Sequence, residues 1–156
     1  SSVMERLIMV RELAGDEPVL VAYGDCLSDI DIQEMIESHR RQQSLATVAI
    51  AHPTGRNEIL ALNEQGCYIG TKQGKKQKHS WVNACSMVLE ARAFDYLKEN
   101  QENHFALSFM DCLAAHEPVQ TYRHEGFWSP VETIRDKTLM ENLWAQHKAP
   151  WKVWED

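Results

Sequence analysis

The feature that most constrains this chain is a pair of short, apolar runs, Val19-Leu20-Val21-Ala22-Tyr23 and Leu45 to Ala51, each bounded by chain breakers. The first lies between Gly15-Asp16-Glu17-Pro18 and Gly24-Asp25, and the second stops at His52-Pro53-Thr54-Gly55. Runs of this kind read as strands buried on both faces, as in parallel sheets covered by helices. Between them, Asp31 followed by Glu34 has the spacing of a capping box. It opens a helix over about residues 32–42, with Ile32, Met35, Ile36 and His39 on its inner side. Strand, helix, strand is one βαβ unit, for which parallel pairing with a right-handed crossover is the expectation. Gly24 and Asp25 fall where the first strand ends, the edge at which open α/β sheets bind ligands.

The remaining pattern is consistent with more of the same. Val3, Leu7 and Val10 share one face of a helix over residues 3–13, with Leu13 near it. Glu58 to Leu62 and Cys67 to Thr71 flank Asn63-Glu64-Gln65-Gly66, a hairpin signal. Lys72 to His79 is too polar to pack and is expected to be a mobile loop. Trp81 to Glu90 resumes as a strand, with Ala93, Phe94, Tyr96 and Leu97 suggesting a helix behind it. A helix fits about 105–115, a short strand Val119 to Tyr122, and a last helix Thr133 to Trp144. Neither a repeat nor a dividing linker is evident, so 1–156 reads as a single domain.

Composition narrows the function classes. A hydrophobic fraction of 44% with 25% charged residues is that of a folded, soluble protein. Sixteen basic against twenty-three acidic side chains give −7, which opposes a nucleic-acid surface over the whole molecule. No run approaches the roughly 18 apolar residues of a membrane span. The opening residues carry no basic and apolar segments in series, so a cytoplasmic protein with no membrane partner is expected. Cys26, Cys67, Cys85 and Cys112 are widely spaced without a CxxC pair and read as free thiols, with neither a disulfide scaffold nor a structural zinc indicated. The histidines form no HExxH, and no GxSxG elbow or GxGxxG loop is present.

Longer motifs carry a resemblance. Val19 to Asp31 (VLVAYGDCLSDID), with His39 and Ala46-Thr47-Val48 after it, is similar to the central strand and metal loop of sugar-1-phosphate nucleotidyltransferases. Trp81 to Leu89 resembles the Trp-Ile-Asn-Gly-Gly-Phe-x-Val-Leu segment of the glucose-1-phosphate cytidylyltransferases within that family. Gly126-Phe127-Trp128-Ser129-Pro130-Val131-Glu132-Thr133 with Ile134-Arg135-Asp136-Lys137 resembles their GFW-x-P-M-D-T-x-RDK ending, and Leu143-Trp144 through Trp151-Lys152 their close. The ordered series covers essentially the whole chain. It implies an α/β, partial Rossmann-like (GT-A-like) nucleotidyltransferase fold, with a mostly parallel sheet and flanking helices. It also implies a reaction joining a nucleoside triphosphate to a sugar 1-phosphate, with Mg²⁺ neutralising developing charge.

The resemblance assigns roles position by position. Asp25 matches the family's Mg²⁺ aspartate, although a turn or cap aspartate at a strand end is the plainer reading. Glu132 stands for the second metal aspartate, one methylene longer, and as a helix-start carboxylate it has an ordinary alternative role. The two are expected to face each other across one cleft. Lys72 falls at the sugar-phosphate lysine of a Glu-Lys-Pro motif, and with Asp25 is a catalytic candidate; Thr71 and Gln73 replace its neighbours. Asn83 and Ser108 are substrate-binding candidates, Ser108 standing where the family has a sugar-hydroxyl glutamate. Cys26, Ala84 and Cys85 occupy family glycine positions, so side chains are expected in space that a ligand would use.

The family also begins with a glycine-rich Gly-Gly-x-Gly-Thr-Arg loop and a Lys-Pro motif, to which nothing in this chain corresponds. Backbone N–H groups turned toward phosphate are what that loop supplies. With the cleft substitutions, this favours a degenerate relative that is inactive as an isolated chain and serves in binding or oligomerisation. The alternative is an active transferase whose front part is missing from this chain or comes from a partner. A sugar phosphate or nucleotide ligand is expected, and a sheet edge left unpaired by a missing front strand suggests a homo-oligomer, with Trp144, Trp151 and Trp154 folding back on the domain or against a second subunit.

Overall fold

The computed structural model describes residues 3–53, 59–72, 80–99 and 109–156. Its elements run α1 (Val3–Ala14), β1 (Val19–Ala22), β2 (Cys26–Ser28), α2 (Ile32–Gln42), β3 (Ala46–Ala51), β4 (Ile59–Leu62) and β5 (Tyr68–Lys72). They continue with β6 (Val82–Leu89), α3 (Ala91–Glu99), α4 (Phe109–Ala114), β7 (Val119–Arg123), β8 (Trp128–Pro130) and α5 (Ile134–Ala145). The expected polar loop after Lys72, the stretch at residues 54–58 and the front of the helix expected over 105–115 lie outside the described residues.

The sheet corrects the mostly parallel arrangement expected from the apolar runs. Its strand order is β1-β6-β3-β7-β5-β4, and of its pairings only β3 with β7 is parallel. The βαβ unit does exist in direction, since β1 and β3 both run antiparallel to β6. They are not neighbours, however, because β6 is inserted between them. The inference failed for a physical reason. Every residue of β3 is buried because helices cover both faces of the sheet, whatever the direction of the adjoining strands.

Alternate residues of β3 feed two cores. Ala46, Val48 and Ile50 join Leu7, Phe94, Leu97 and Leu113 on one face. Ala49 and Ala51 join Ile30, Met35, Val82 and Trp128 on the other. Side chains such as Phe94 and Met35, sealed from water, each contribute about 1.5–3 kcal/mol of burial free energy. In α1 Leu7 of the expected stripe is buried, whereas Val10 and Leu13 face solvent.

Local chemistry sets the element ends. Asp31 caps α2, its side chain accepting the Glu34 N–H at 2.9 Å. Thr133 caps α5 in a reciprocal box with Asp136. Asn63 closes the β4–β5 turn by accepting the Gln65 and Cys67 N–H groups at 3.0 and 2.9 Å, and Gly66 supplies the positive φ that the turn requires. After α5 the tail folds back, with Trp151 against Phe127 (ring centroids 5.6 Å apart). Trp144 and Trp154 meet each other at 6.3 Å while remaining about half exposed.

Candidate functional site

Three segments converge at the end of β1. After Ala22 the Tyr23 N–H donates to the Cys85 carbonyl (3.0 Å), which ties the start of the turn to β6. Gly24 and Asp25 turn the chain into β2, which pairs antiparallel with β8, Cys26 opposite Pro130. The Val131 N–H then donates to the Asp25 carbonyl at 2.7 Å. Glu132 follows directly, so the small β2–β8 ribbon carries the backbone of Asp25 beside that of the residue preceding Glu132. Both carboxylates are exposed.

The third segment is an irregularity in β6. Its register against β3 shifts between Val48 and Ile50, so that β6 accommodates extra chain there. Cys85 lies in that bulge at φ 65°, the left-handed region that favours glycine. The Asn83 side chain holds it, its Oδ1 accepting the Cys85 N–H at 2.8 Å. The Ala84 carbonyl accepts the Trp128 indole N–H at 3.1 Å and lies 3.8 Å from Cys26 Sγ. The resemblance puts glycine, a residue at ease in this conformation, at position 85, where this chain holds a cysteine.

The outcome is a cluster in which one carboxylate oxygen of Asp25 and the sulfurs of Cys26 and Cys85 all lie within 4.8 Å of one another. Both thiols are half-buried and all four cysteines of the chain are free. A hydrogen bond from the Cys85 thiol holds the Cys26 thiol below its ordinary pKa, with burial and the Asp25 charge opposing. The same bond, followed by burial and by the negative charges of Cys26, Asp25 and Glu132, pushes Cys85 upward. Burial, then Cys85 and Asp25, also raises the Tyr23 phenol.

The other candidates divide. Asn83 belongs to this site, with its oxygen committed to Cys85 and its amide 3.7 Å from Met110 Sδ. Lys72 closes β5 with its backbone opposite Ile59, and Ser108 lies outside the described residues. Cys26 and Cys85 are the pair that spacing rules do not reveal. Fifty-nine positions separate them, and the available signal was that both stand at family glycine positions. For the Mg²⁺ that the resemblance implies, the fit is poor. Two of the three clustered donors are sulfur, whereas Mg²⁺ takes oxygen ligands in a near-ideal octahedron.

Across 90% of its length the chain is 34% identical to a glucose-1-phosphate cytidylyltransferase of Salmonella typhi, covering 54% of that protein. The chain belongs to the sugar-1-phosphate nucleotidyltransferase superfamily. The cytidylyltransferase of Salmonella typhimurium is 32% identical, again over 90% of this chain and 54% of the relative. The chain therefore spans about half the length of the curated relatives it matches. No family model matches it. In fold it is similar to a UTP-bound UGPase from Acinetobacter baumannii, with a TM-score of 0.71 and 13% identity over 96% of this chain and 59% of that one. Among the described residues no helix is long and apolar enough to cross a membrane.

Proposed function

We propose that this chain is a nucleotidyltransferase-like domain that binds a sugar phosphate or nucleotide, without completing nucleotidyl transfer as an isolated chain. The observation that carries the reading is the side chain at position 85. It occupies a glycine-type backbone conformation and comes together with Cys26 beside Asp25. Those atoms fill space that two glycines leave open to ligand in the family, and sulfur is a poor neighbour for Mg²⁺. The test is titration of the purified chain with CTP and glucose 1-phosphate, with and without Mg²⁺, while pyrophosphate is measured. Binding of either ligand without pyrophosphate is the expected result; steady turnover overturns the reading.

A second reading has its own support. Asp25 and Glu132 come from distant parts of the sequence, yet the Val131–Asp25 backbone bond brings their stretches of backbone side by side. That is the arrangement an NTP:sugar-1-phosphate transferase would keep if the rest of its site came from outside this chain. Strand β1 lies at the end of the sheet order, and Leu20 on it is exposed, so an additional strand has an edge to join. Sedimentation across micromolar concentrations tests self-association through that edge, and a strictly monomeric species rules it out.

A further inference from the structure

We propose that Asp25, Cys26 and Cys85 form a binding site for a thiophilic divalent cation of the zinc type. The proposal is independent of whether the chain transfers nucleotides, because it rests on the donor atoms alone.

The donor set suits such an ion. Zinc takes thiolate sulfur at about 2.3 Å and carboxylate oxygen at about 2.0–2.2 Å, in tetrahedral geometry. Two sulfurs on one tetrahedral ion stand about 3.8 Å apart, which follows from that bond length. The three donor atoms already lie within 4.8 Å of one another, so small side-chain rotations close the set. Soft thiolates beside one carboxylate select zinc-type ions over Mg²⁺ or Ca²⁺. The fourth position is left to water, as in open zinc sites.

The surroundings hold these donors in place. Cys26 is fixed by the β2–β8 pairing, and its sulfur sits 3.7 Å from the Tyr23 carbonyl. Cys85 is fixed by Asn83 and by the Tyr23 N–H bond to its own carbonyl. A non-glycine residue in the left-handed region costs about 1–2 kcal/mol, and strain of this kind tends to collect at functional sites. A site built on the β2–β8 ribbon and on the β6 bulge loses little freedom when the ion binds. Its half-buried thiols and exposed carboxylate leave an entry path from solvent.

The experiment uses the whole reduced chain, stripped of metal. Zn²⁺ is titrated against a chromophoric chelator, and Co²⁺ serves as a spectroscopic probe. The expected result is uptake of one equivalent, with a sulfur-to-cobalt charge-transfer band and the intense visible bands of a tetrahedral ion, unchanged by a large excess of Mg²⁺. Cys85→Gly, which restores a residue at ease in that backbone, should fold and should weaken Zn²⁺ binding about 100-fold. Cys26→Ser should do the same and halve the charge-transfer intensity. Cys67→Ala, at a buried cysteine outside the cluster, should leave both readouts unchanged. No uptake by the reduced wild-type chain overturns the proposal. So does uptake that survives in the Cys26→Ser/Cys85→Gly double variant, or uptake that Mg²⁺ displaces at equal concentration. A chain that accepts metal only after reduction of a Cys26–Cys85 disulfide still supports the site.

Discussion

Asn83 holds Cys85 in a conformation that cysteine does not choose for itself: the Asn83 side-chain oxygen accepts the Cys85 N–H at 2.8 Å while Cys85 stands at φ 65°. The strained residue and its restraint are two positions apart on β6. Their effects separate by substitution. Cys85→Gly removes the steric cost of a Cβ in the left-handed region, whereas Cys85→Ala keeps that cost and loses the same thiol. In metal-free buffer the glycine variant should be more stable than the alanine variant by about 1 kcal/mol, read from urea midpoints at equal slope. Equal stability of the two would mean that the bulge relaxes and that Cys85 is not held.

Gly126 is required by its neighbours rather than by its own φ. A Cβ built there would lie 2.7 Å from Asp29 Oδ1 and 2.9 Å from the His124 ring. His124 is buried, donates from Nε2 to the Phe127 carbonyl at 2.8 Å, and lies 2.9 Å from Asp29 through the same nitrogen. Since a carbonyl only accepts, that nitrogen carries the proton. Gly126→Ala should force this knot apart and cost about 1–3 kcal/mol, again measured by urea unfolding. Because the knot supports the segment leading to Trp128, the same variant should also weaken any ligand bound at Asp25.

His39 ties helix α2 to the sheet. Its ring is buried, with Nδ1 2.7 Å from the Thr47 hydroxyl and Nε2 2.7 Å from Glu90 Oε1. His39→Leu fills the volume but removes a partner from Thr47, which is fully buried, leaving Ser44 at 3.2 Å as its side-chain hydrogen-bond partner among the described residues. A loss of about 2 kcal/mol is expected from the unsatisfied polar groups. His39→Gln, which preserves one of the two hydrogen bonds, should lose less. If leucine were as stable as wild type, the bridge would be a consequence of packing and not a contributor to it.

Much of the fold was legible where local chemistry decides it. The Asp31 cap, the Asn63–Gly66 turn and the inward position of His39 each follow from residues within a few positions of one another. Strand direction was not legible. Val19 to Tyr23 and Leu45 to Ala51 reveal burial on both faces, but which strand lies between them is set by β6, more than thirty residues later. The β2–β8 ribbon was also missed, because three-residue strands such as Cys26–Ser28 carry too little periodicity to register. At the site, the family motifs named Asp25 and Glu132, and the structure gives their backbone neighbourhood, with the Val131 N–H on the Asp25 carbonyl. The meeting of Cys26 with Cys85 depends on a bulge and a positive φ, neither of which composition or spacing encodes.

Glu132 immediately precedes the capped start of α5, where Asp136 holds the first turn. Asp136 accepts the Thr133 N–H at 2.9 Å and the Glu132 N–H at 3.2 Å, while its own N–H donates to the Thr133 hydroxyl at 3.1 Å. The Thr133 side chain first, then these backbone donors, hold the Asp136 carboxyl below its ordinary pKa. A carboxyl depressed in the folded state contributes stability that is present above its unfolded pKa and is lost as pH falls through the folded value. Asp136→Asn should therefore be less stable than wild type at neutral pH, and the two unfolding curves should converge only below the usual aspartate range. Thr133→Ala removes the cap itself and should cost about 1 kcal/mol at neutral pH. Thermal unfolding of the three proteins across the acid range tests the scheme. A constant gap between wild type and Asp136→Asn down to the lowest pH would show that the carboxylate charge plays no part in anchoring α5, and with it Glu132.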